Sequence, residues 1–294
     1  MKKSTLVKGY LFIIGAAVIY GLMPIGAKLI YKEGVNSMTL VFLRNLLSLP
    51  FLALATVLTG DNLKLPLKNV GKIMGIGLFG CCFTPLLLFA SYEFLPSGAA
   101  TVFHYVYPAV VLLGSLIFFK EKLHIGQILC FVLCTAGIAC FYNPEDGINL
   151  TGALLAMGSG VVYAIYVLLL GKVKSLGVSG FKFNFFVSIA ACVLLFIACL
   201  VTKNLALPTS LAGWIYCVLF AIIINIGAVV LFQQGTMIIG GSRSSILSTL
   251  EPITSILAGL VFFQEKITVW SGIGMVLVVL SSLLIAVFDS RKKA

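Results

Sequence analysis

The sequence predicts an all-α integral membrane protein: ten transmembrane helices arranged as two inverted five-helix repeats, with both termini cytoplasmic. Three observations predict it. Of 294 residues, 61% are apolar and 10% charged, against roughly 45–50% and 25% in a water-soluble domain. The apolar residues fall into ten runs, and the chain matches itself after a shift of about half its length. Ten helices of about 22 residues, each able to cross ~30 Å of hydrocarbon at 1.5 Å per residue, consume about 220 residues. What is left suffices for loops and tails but for no extramembrane domain.

The runs are bounded by charge, Pro, Gly or Asn at residues 8–31, 37–58, 70–93, 97–119, 123–141, 150–171, 179–202, 211–235, 241–263 and 268–288. The first follows Lys2 and Lys3 as a signal peptide does. It is too long for a signal core and no small-residue cleavage site follows, so it is expected to stay as helix 1.

The net charge of +11 does not point to nucleic acid, because the Lys and Arg residues come in ones to threes between apolar runs. They report orientation instead. With the N-terminus inside, fifteen basic residues face the cytoplasm (Lys2, Lys3, Lys8, Lys64, Lys68, Lys72, Lys120, Lys122, Lys172, Lys174, Lys182, Arg243, Arg291, Lys292 and Lys293), and four face out (Lys28, Lys32, Lys203 and Lys266). Positive loops resist translocation. The eight cysteines lie almost entirely inside apolar runs, without the spacing of a disulfide framework or a zinc site. They read as small packing residues, with Gly126, Cys130 and Cys134 forming a small-xxx-small stripe. Neither a cofactor nor a metal is expected.

The repeat organises the chain into residues 1–143 and 144–294. At a shift of 144, Pro108 falls on Pro252, Phe118–Phe119 on Phe262–Phe263 and Glu121–Lys122 on Glu265–Lys266. At a shift of 143, Gly9, Gly15, Val18 and Tyr20 fall on Gly152, Gly158, Val161 and Tyr163. Five helices per half is an odd number, so the second half enters the membrane from the other side. Inverted repeats are an architecture of alternating-access transport.

Two five-helix repeats, each with a kinked fourth helix ending in Phe-Phe-x-Glu (Phe118–Phe119–Lys120–Glu121 and Phe262–Phe263–Gln264–Glu265), resemble the EamA-type, ten-helix branch of the drug/metabolite transporter superfamily. The resemblance covers nearly the whole chain. It implies a central cavity lined by helices 1, 3, 4, 6, 8 and 9, with helices 5 and 10 peripheral, and a small-molecule cargo such as an amino acid or related amphipathic solute. It leans toward export across a bacterial cytoplasmic membrane, with proton antiport beside facilitated diffusion.

Candidate site residues follow from two arguments. Proline in a helix interior frees the carbonyl four residues earlier, so Pro24, Pro85, Pro108 and Pro252 free those of Tyr20, Cys81, His104 and Ser248. At membrane depth such groups survive only against protein or in a wet cavity. Pro108 and Pro252 occupy equivalent places, which puts the solute site between them. Bending for packing is the competing reading of each proline. At 100° per residue, Ser244, Ser248, Glu251 and Ser255 share one face of helix 9, and His104, Tyr107 and Ser115 share the matching face of helix 4.

Glu251 is the most informative residue, because a carboxylate in mid-membrane is costly. It is read either as a group that exchanges a proton during transport or as the fixed ion-pair partner of Arg44. Arg44 itself lies close enough to the end of helix 2 to snorkel. His104 carries the side chain that exchanges protons near neutral pH, against the reading of a hydrogen-bonded interior residue. Asn225, Gln233 and Gln234 offer hydrogen bonds from helix 8. Tyr20, Tyr163 and Tyr166, with Tyr105 and Tyr107, supply aromatic walls suited to stacking or cation–π contact. Glu121 and Glu265 organise turns. The bilayer and a small solute are the expected partners, and nucleic acid is not; a monomer suffices, with a homodimer as the alternative.

Two other classes fit these residues less well. An intramembrane lipid-modifying enzyme needs a convergent nucleophile, acid/base or metal set, and only His104, Arg44 and Glu251 lie at depth. A passive channel needs rings of charge along a pore. The sequence has no Walker-type phosphate loop, so ATP is not the direct energy source.

Overall fold

The computed structural model describes residues 3–119, 149–174, 177–239, 250–264 and 268–291, together with residues 129, 132–133, 136–137, 140, 244 and 247–248. The expectations for most of helix 5, for Cys130, Cys134, Glu121, Glu265 and Arg243, and for Lys292 and Lys293 lie outside the described residues.

Twelve α-helical segments are described: α1 (Lys3–Lys32), α2 (Ser37–Leu58), α3 (Leu67–Leu78), α4 (Thr84–Ser91), α5 (Ser97–His104), α6 (Tyr107–Phe119), α7 (Leu150–Lys174), α8 (Gly180–Val201), α9 (Leu211–Ala221), α10 (Val229–Ile239), α11 (Leu250–Phe263) and α12 (Val269–Arg291). Two π-helical inserts, Phe79–Phe83 and Ile222–Ala228, join α3 to α4 and α9 to α10. Six stretches among the described residues are long and apolar enough to cross a membrane: Thr5–Lys32, Ser37–Leu58, Leu67–Ser91, Leu150–Leu170, Gly180–Val201 and Leu211–Ile239. Their outer faces are apolar, with Leu58, Val201 and Leu211 each more than 70% exposed. In water such a surface would aggregate; in lipid it is the natural boundary.

Local geometry repeats between the halves. Asn36 caps α2 by accepting from Thr39 N at 2.8 Å, and Ser179, 143 positions on, caps α8 by accepting from Lys182 N at 3.3 Å. The turn before each cap holds a glycine at positive φ, Gly34 at 86° and Gly177 at 63°, a conformation that costs Gly little. The far ends of α2 and α8 close alike. Asp61 N donates to Thr56 O at 3.2 Å and Asn204 N to Cys199 O at 3.0 Å, the six-to-one bond of a Schellman cap. The left-handed position is Gly60 in the first half and Lys203 in the second.

Helices α2 and α8 pack against each other at the centre, α1 packs on α10 and α11, and α7 packs on α4 and α6. Each half therefore covers the other. A side chain added at Gly9 would meet Ile238 and Ile239, and one at Gly152 would meet Phe94 and Leu95. Gly15 faces Leu231, and Gly158 faces Leu87. These partners are themselves 144 positions apart. Contacts in which i meets j′ while j meets i′ are the signature of a two-fold relation.

The structure departs from single uninterrupted helices at two places in the first half. Helix 4 is broken at Tyr105–Val106, just before Pro108. Helix 3 widens into its π-insert before Pro85. The equivalent widening at Ile222–Ala228 contains no proline, so proline does not account for it.

Candidate functional site

A cavity lies where the broken fourth helix, the π-insert of helix 3, helix 1 and helix 6 converge. It is lined by Tyr20, Met23, Arg44, Gly80, Thr84, Pro85, Leu88, His104, Tyr163, Val229 and Glu251. It encloses about 60 Å³, room for a few waters and far below the ~300–1,000 Å³ of sites that engulf a drug-sized ligand.

Its aromatic wall is built on the repeat. Tyr20 and Tyr163 occupy equivalent positions, and each has its ring centre 6.4 Å from that of Phe232. Tyr163 lies 4.9 Å from Tyr107, edge to face, 5.8 Å from Tyr166 and 5.5 Å from His104. The Gly80 backbone passes so close to the Tyr166 ring that a β-carbon there would sit 2.6 Å from it. The wall needs a glycine at that point.

Three of the four freed carbonyls are placed against a neighbour. Cys81 O, released by Pro85, accepts from Arg44 Nη2 at 2.9 Å and from Asn45 Nδ2 at 3.4 Å. His104 O, released by Pro108, lies against the backbone of Gly160, where any β-carbon would collide with it. Ser248 O, released by Pro252, accepts from Glu251 N at 2.9 Å. Cys81 O and Ser248 O are thus paired within the protein, and His104 O is shielded by it, as membrane depth requires.

Arg44 does not snorkel. It is 4% exposed, its guanidinium sits 5.6 Å above the Phe89 ring, and it turns inward because Cys81 O offers an acceptor that lipid does not. Its Nε is buried without a hydrogen-bond partner, which costs about 1–3 kcal/mol. The fixed Arg44–Glu251 ion pair is not formed either. Both residues line the cavity, yet Glu251 makes no side-chain hydrogen bond or ion pair among the described residues.

His104 is tied down on one side. Its Nδ1 lies 2.7 Å from Ser159 Oγ, and Ser159 Oγ donates to Ala156 O at 2.6 Å. With its proton committed, the Ser159 oxygen accepts from Nδ1–H. Nε2 of the neutral ring is therefore a hydrogen-bond acceptor. Ser248, Ser255 and Ser244 of helix 9 are all buried, as the polar face of that helix predicts. Ser255 Oγ lies 3.0 Å from Thr101 Oγ on α5, closing one end of the crossing between helices 4 and 9.

Not every candidate meets the cavity. Asn225 donates instead to Arg44 O at 3.1 Å and to Ser48 Oγ at 2.9 Å, bracing the second π-insert against α2. Gln233 and Asn184 pair amide to amide at 3.2 Å, and Gln233 also donates to Tyr166 OH at 3.0 Å. Asn45, Ser188 and Asn184 were missed from sequence. Their signal was available, since a polar residue in a membrane helix asks for a partner.

Residues 7–143 and again residues 150–287 match the EamA-like transporter family. The chain belongs to that family, and carries two EamA-like repeats. Its relatives include an uncharacterized inner membrane transporter, YicL, of Salmonella typhimurium, 25% identical over 98% of this chain and 97% of that one. An uncharacterized transporter of Clostridium kluyveri is 21% identical over 98% and 95% of the two chains. A solved crystal structure shares the fold across 100% of both chains, with a TM-score of 0.67 at 17% identity. The chain is thus an EamA-family, multi-pass membrane protein of transporter kind.

Proposed function

We propose that this EamA-family protein is a secondary transporter that exports a small amphipathic metabolite, such as an amino acid, by alternating access around the central cavity. On this reading ten helices span the bacterial cytoplasmic membrane, the halves are inverted about an axis in the membrane plane, and both termini are cytoplasmic. The observation that carries it is the cavity itself. Tyr20 and Tyr163, equivalent residues of the two halves, face one space with Arg44, His104 and Glu251. A space enclosing about 60 Å³ admits a metabolite only if its walls part, and walls supplied by two halves part when one half rocks against the other.

Glu251 is the coupling group in this scheme. A carboxylate without a protein partner, open to a cavity that faces each side in turn, takes a proton on one side and gives it up on the other. Tyr20, His104, Tyr107, Tyr163 and Tyr166 contact the solute, while Ser248 and Asn225 hold the helix breaks that let the halves move.

The test begins with metabolite profiles of cells with and without the protein, followed by flux of the differing solute into proteoliposomes. Wild type is expected to show saturable flux that a pH gradient accelerates, and Glu251→Gln to lose at least tenfold in rate together with that acceleration. Unchanged rate and pH dependence in Glu251→Gln overturns the coupling; no substrate-dependent flux at all overturns transport through this cavity.

A further inference from the structure

We propose that Arg44 is the anion-binding residue of the cavity and Glu251 its cation-binding counterpart, so that the solute is a zwitterion whose two poles are read separately. The inference rests on the central-cavity reading above and specifies its substrate.

The repeat supplies the first step. The cavity wall is duplicated, with Tyr20 answering Tyr163, but the charges are not. The repeat-equivalent of Arg44 is Val187, and that of Glu251 is Tyr107. Each half contributes one charge of its own sign, and the two stand on different elements, α2 and α11. A two-fold cavity built from aromatic residues accepts a solute in either of two directions; one unlike charge from each half leaves a single direction.

Burial supplies the second step. Arg44 has Nη2 on Cys81 O and Nε buried without an acceptor. The protein has therefore used only part of a fork whose geometry matches a carboxylate. Glu251 lines the same space without pairing with it. The Arg44 guanidinium is held by Cys81 O and the Phe89 face, and no ion pair joins it to Glu251, which lines the same cavity. A solute carrying a carboxylate and an ammonium closes both gaps at once. The rings of Tyr20 and Tyr163, which line the same space, suit its apolar body, and an ammonium above such rings gains cation–π attraction.

The experiment uses the purified full chain in detergent and a three-member probe series: phenylalanine, hydrocinnamate, which lacks the ammonium, and phenethylamine, which lacks the carboxylate. Binding is read from the shift of the thermal midpoint with ligand concentration, with sodium chloride at equal ionic strength as the inorganic-anion arm. Phenylalanine is expected to bind at least tenfold tighter than either half-probe. Arg44→Lys, which keeps the charge and a donor for Cys81 O, is expected to erase its advantage over phenethylamine, and Glu251→Gln its advantage over hydrocinnamate.

Phenethylamine binding wild type as tightly as phenylalanine, chloride reproducing the shift, or an advantage that survives Arg44→Lys overturns the assignment. So does a series in which no member binds. In each case the cavity reading is judged separately, by whether Glu251→Gln abolishes flux of the solute found by metabolite profiling.

Discussion

Asn45 and Ser188 are hydrogen-bonded, Ser188 Oγ to Asn45 Oδ1 at 3.1 Å, and they are the same position in the two repeats, 143 residues apart. In a two-fold arrangement, equivalent residues touch only on the axis. The bond therefore marks where α2 crosses α8, the seam about which the halves are arranged. Both residues are fully or nearly buried, Asn45 at 0% and Ser188 at 2% exposed.

Asn45 also donates to Val41 O at 2.8 Å and to Cys81 O at 3.4 Å. Asn45→Ala is expected to cost about 1–3 kcal/mol, since it strands buried groups. Ser188→Ala loses a single interhelical bond and is expected to cost about 0.6 kcal/mol. Thermal midpoints in one detergent at one scan rate give the order, and a Ser188→Ala variant less stable than Asn45→Ala contradicts the axial role assigned to Asn45.

Glycines that look alike in sequence separate sharply in space. A methyl at Gly160 collides with the His104 carbonyl, whereas at Gly71 nothing lies within 4 Å. Gly160→Ala is expected to destabilise by about 1–3 kcal/mol through overpacking, and Gly71→Ala to stabilise by roughly 0.5–1 kcal/mol through helix propensity. Opposite shifts of the unfolding midpoint are the expected result; shifts of the same sign contradict it.

Much of this was legible in the sequence because lipid enforces simple rules. The repeat register read from Gly9, Gly15 and Tyr20 reappears as paired contacts with Ile238–Ile239 and Phe94–Leu95, since a match that preserves glycine preserves a close approach. Prolines located the freed carbonyls, because a missing N–H is a covalent fact. What hid was whatever depends on a partner in space. Arg44 read as a residue able to reach the surface until Cys81 O was seen to hold it. The π-insert at Ile222–Ala228 has no proline to announce it. Asn225 reads in sequence as a hydrogen-bonding residue of helix 8, and only the structure shows that its partners lie on helix 2.

Lys203 stands at φ 52° where the other half has Gly60 at 78°. A side chain in the left-handed region costs about 1–2 kcal/mol, and glycine is the usual solution at that cap position. Lys203→Gly is expected to raise stability by up to about 1 kcal/mol, and Gly60→Lys to lower it by a similar amount. Unfolding midpoints of the two reciprocal variants check the sign.

The Asp61–Lys182 pair, at 3.2 Å, ties the loop after α2 to the start of α8. The Ser179 hydroxyl first, then the Asn62 backbone and Lys182, hold the Asp61 carboxyl below its usual range. A carboxylate whose pKa is lowered by folding adds stability above its unfolded pKa of about 3.9 and loses it as pH falls through the folded value. The wild-type advantage over Asp61→Asn is therefore expected to be constant from about pH 7 to 5 and to shrink below about pH 4. It should stay under about 1 kcal/mol, because the carboxylate is partly exposed, and weaken in salt. An advantage that grows on acidification contradicts this account.

Thr101 and Ser255 join helices 4 and 9 at one end of the cavity, with hydroxyls 3.0 Å apart, and a β-carbon at nearby Gly98 would lie 3.4 Å from the Ile256 backbone. Touching hydroxyls mark the two positions as a place to try a disulfide, which needs α-carbons about 4.4–6.8 Å apart. If solute passes between these helices, a covalent bond there blocks it. Oxidised Thr101→Cys/Ser255→Cys protein is expected to fall to background flux in vesicles and to recover with reductant, while each single variant transports normally. Full flux through a quantitatively cross-linked double variant excludes this end of the crossing as a gate and sends the solute along another path.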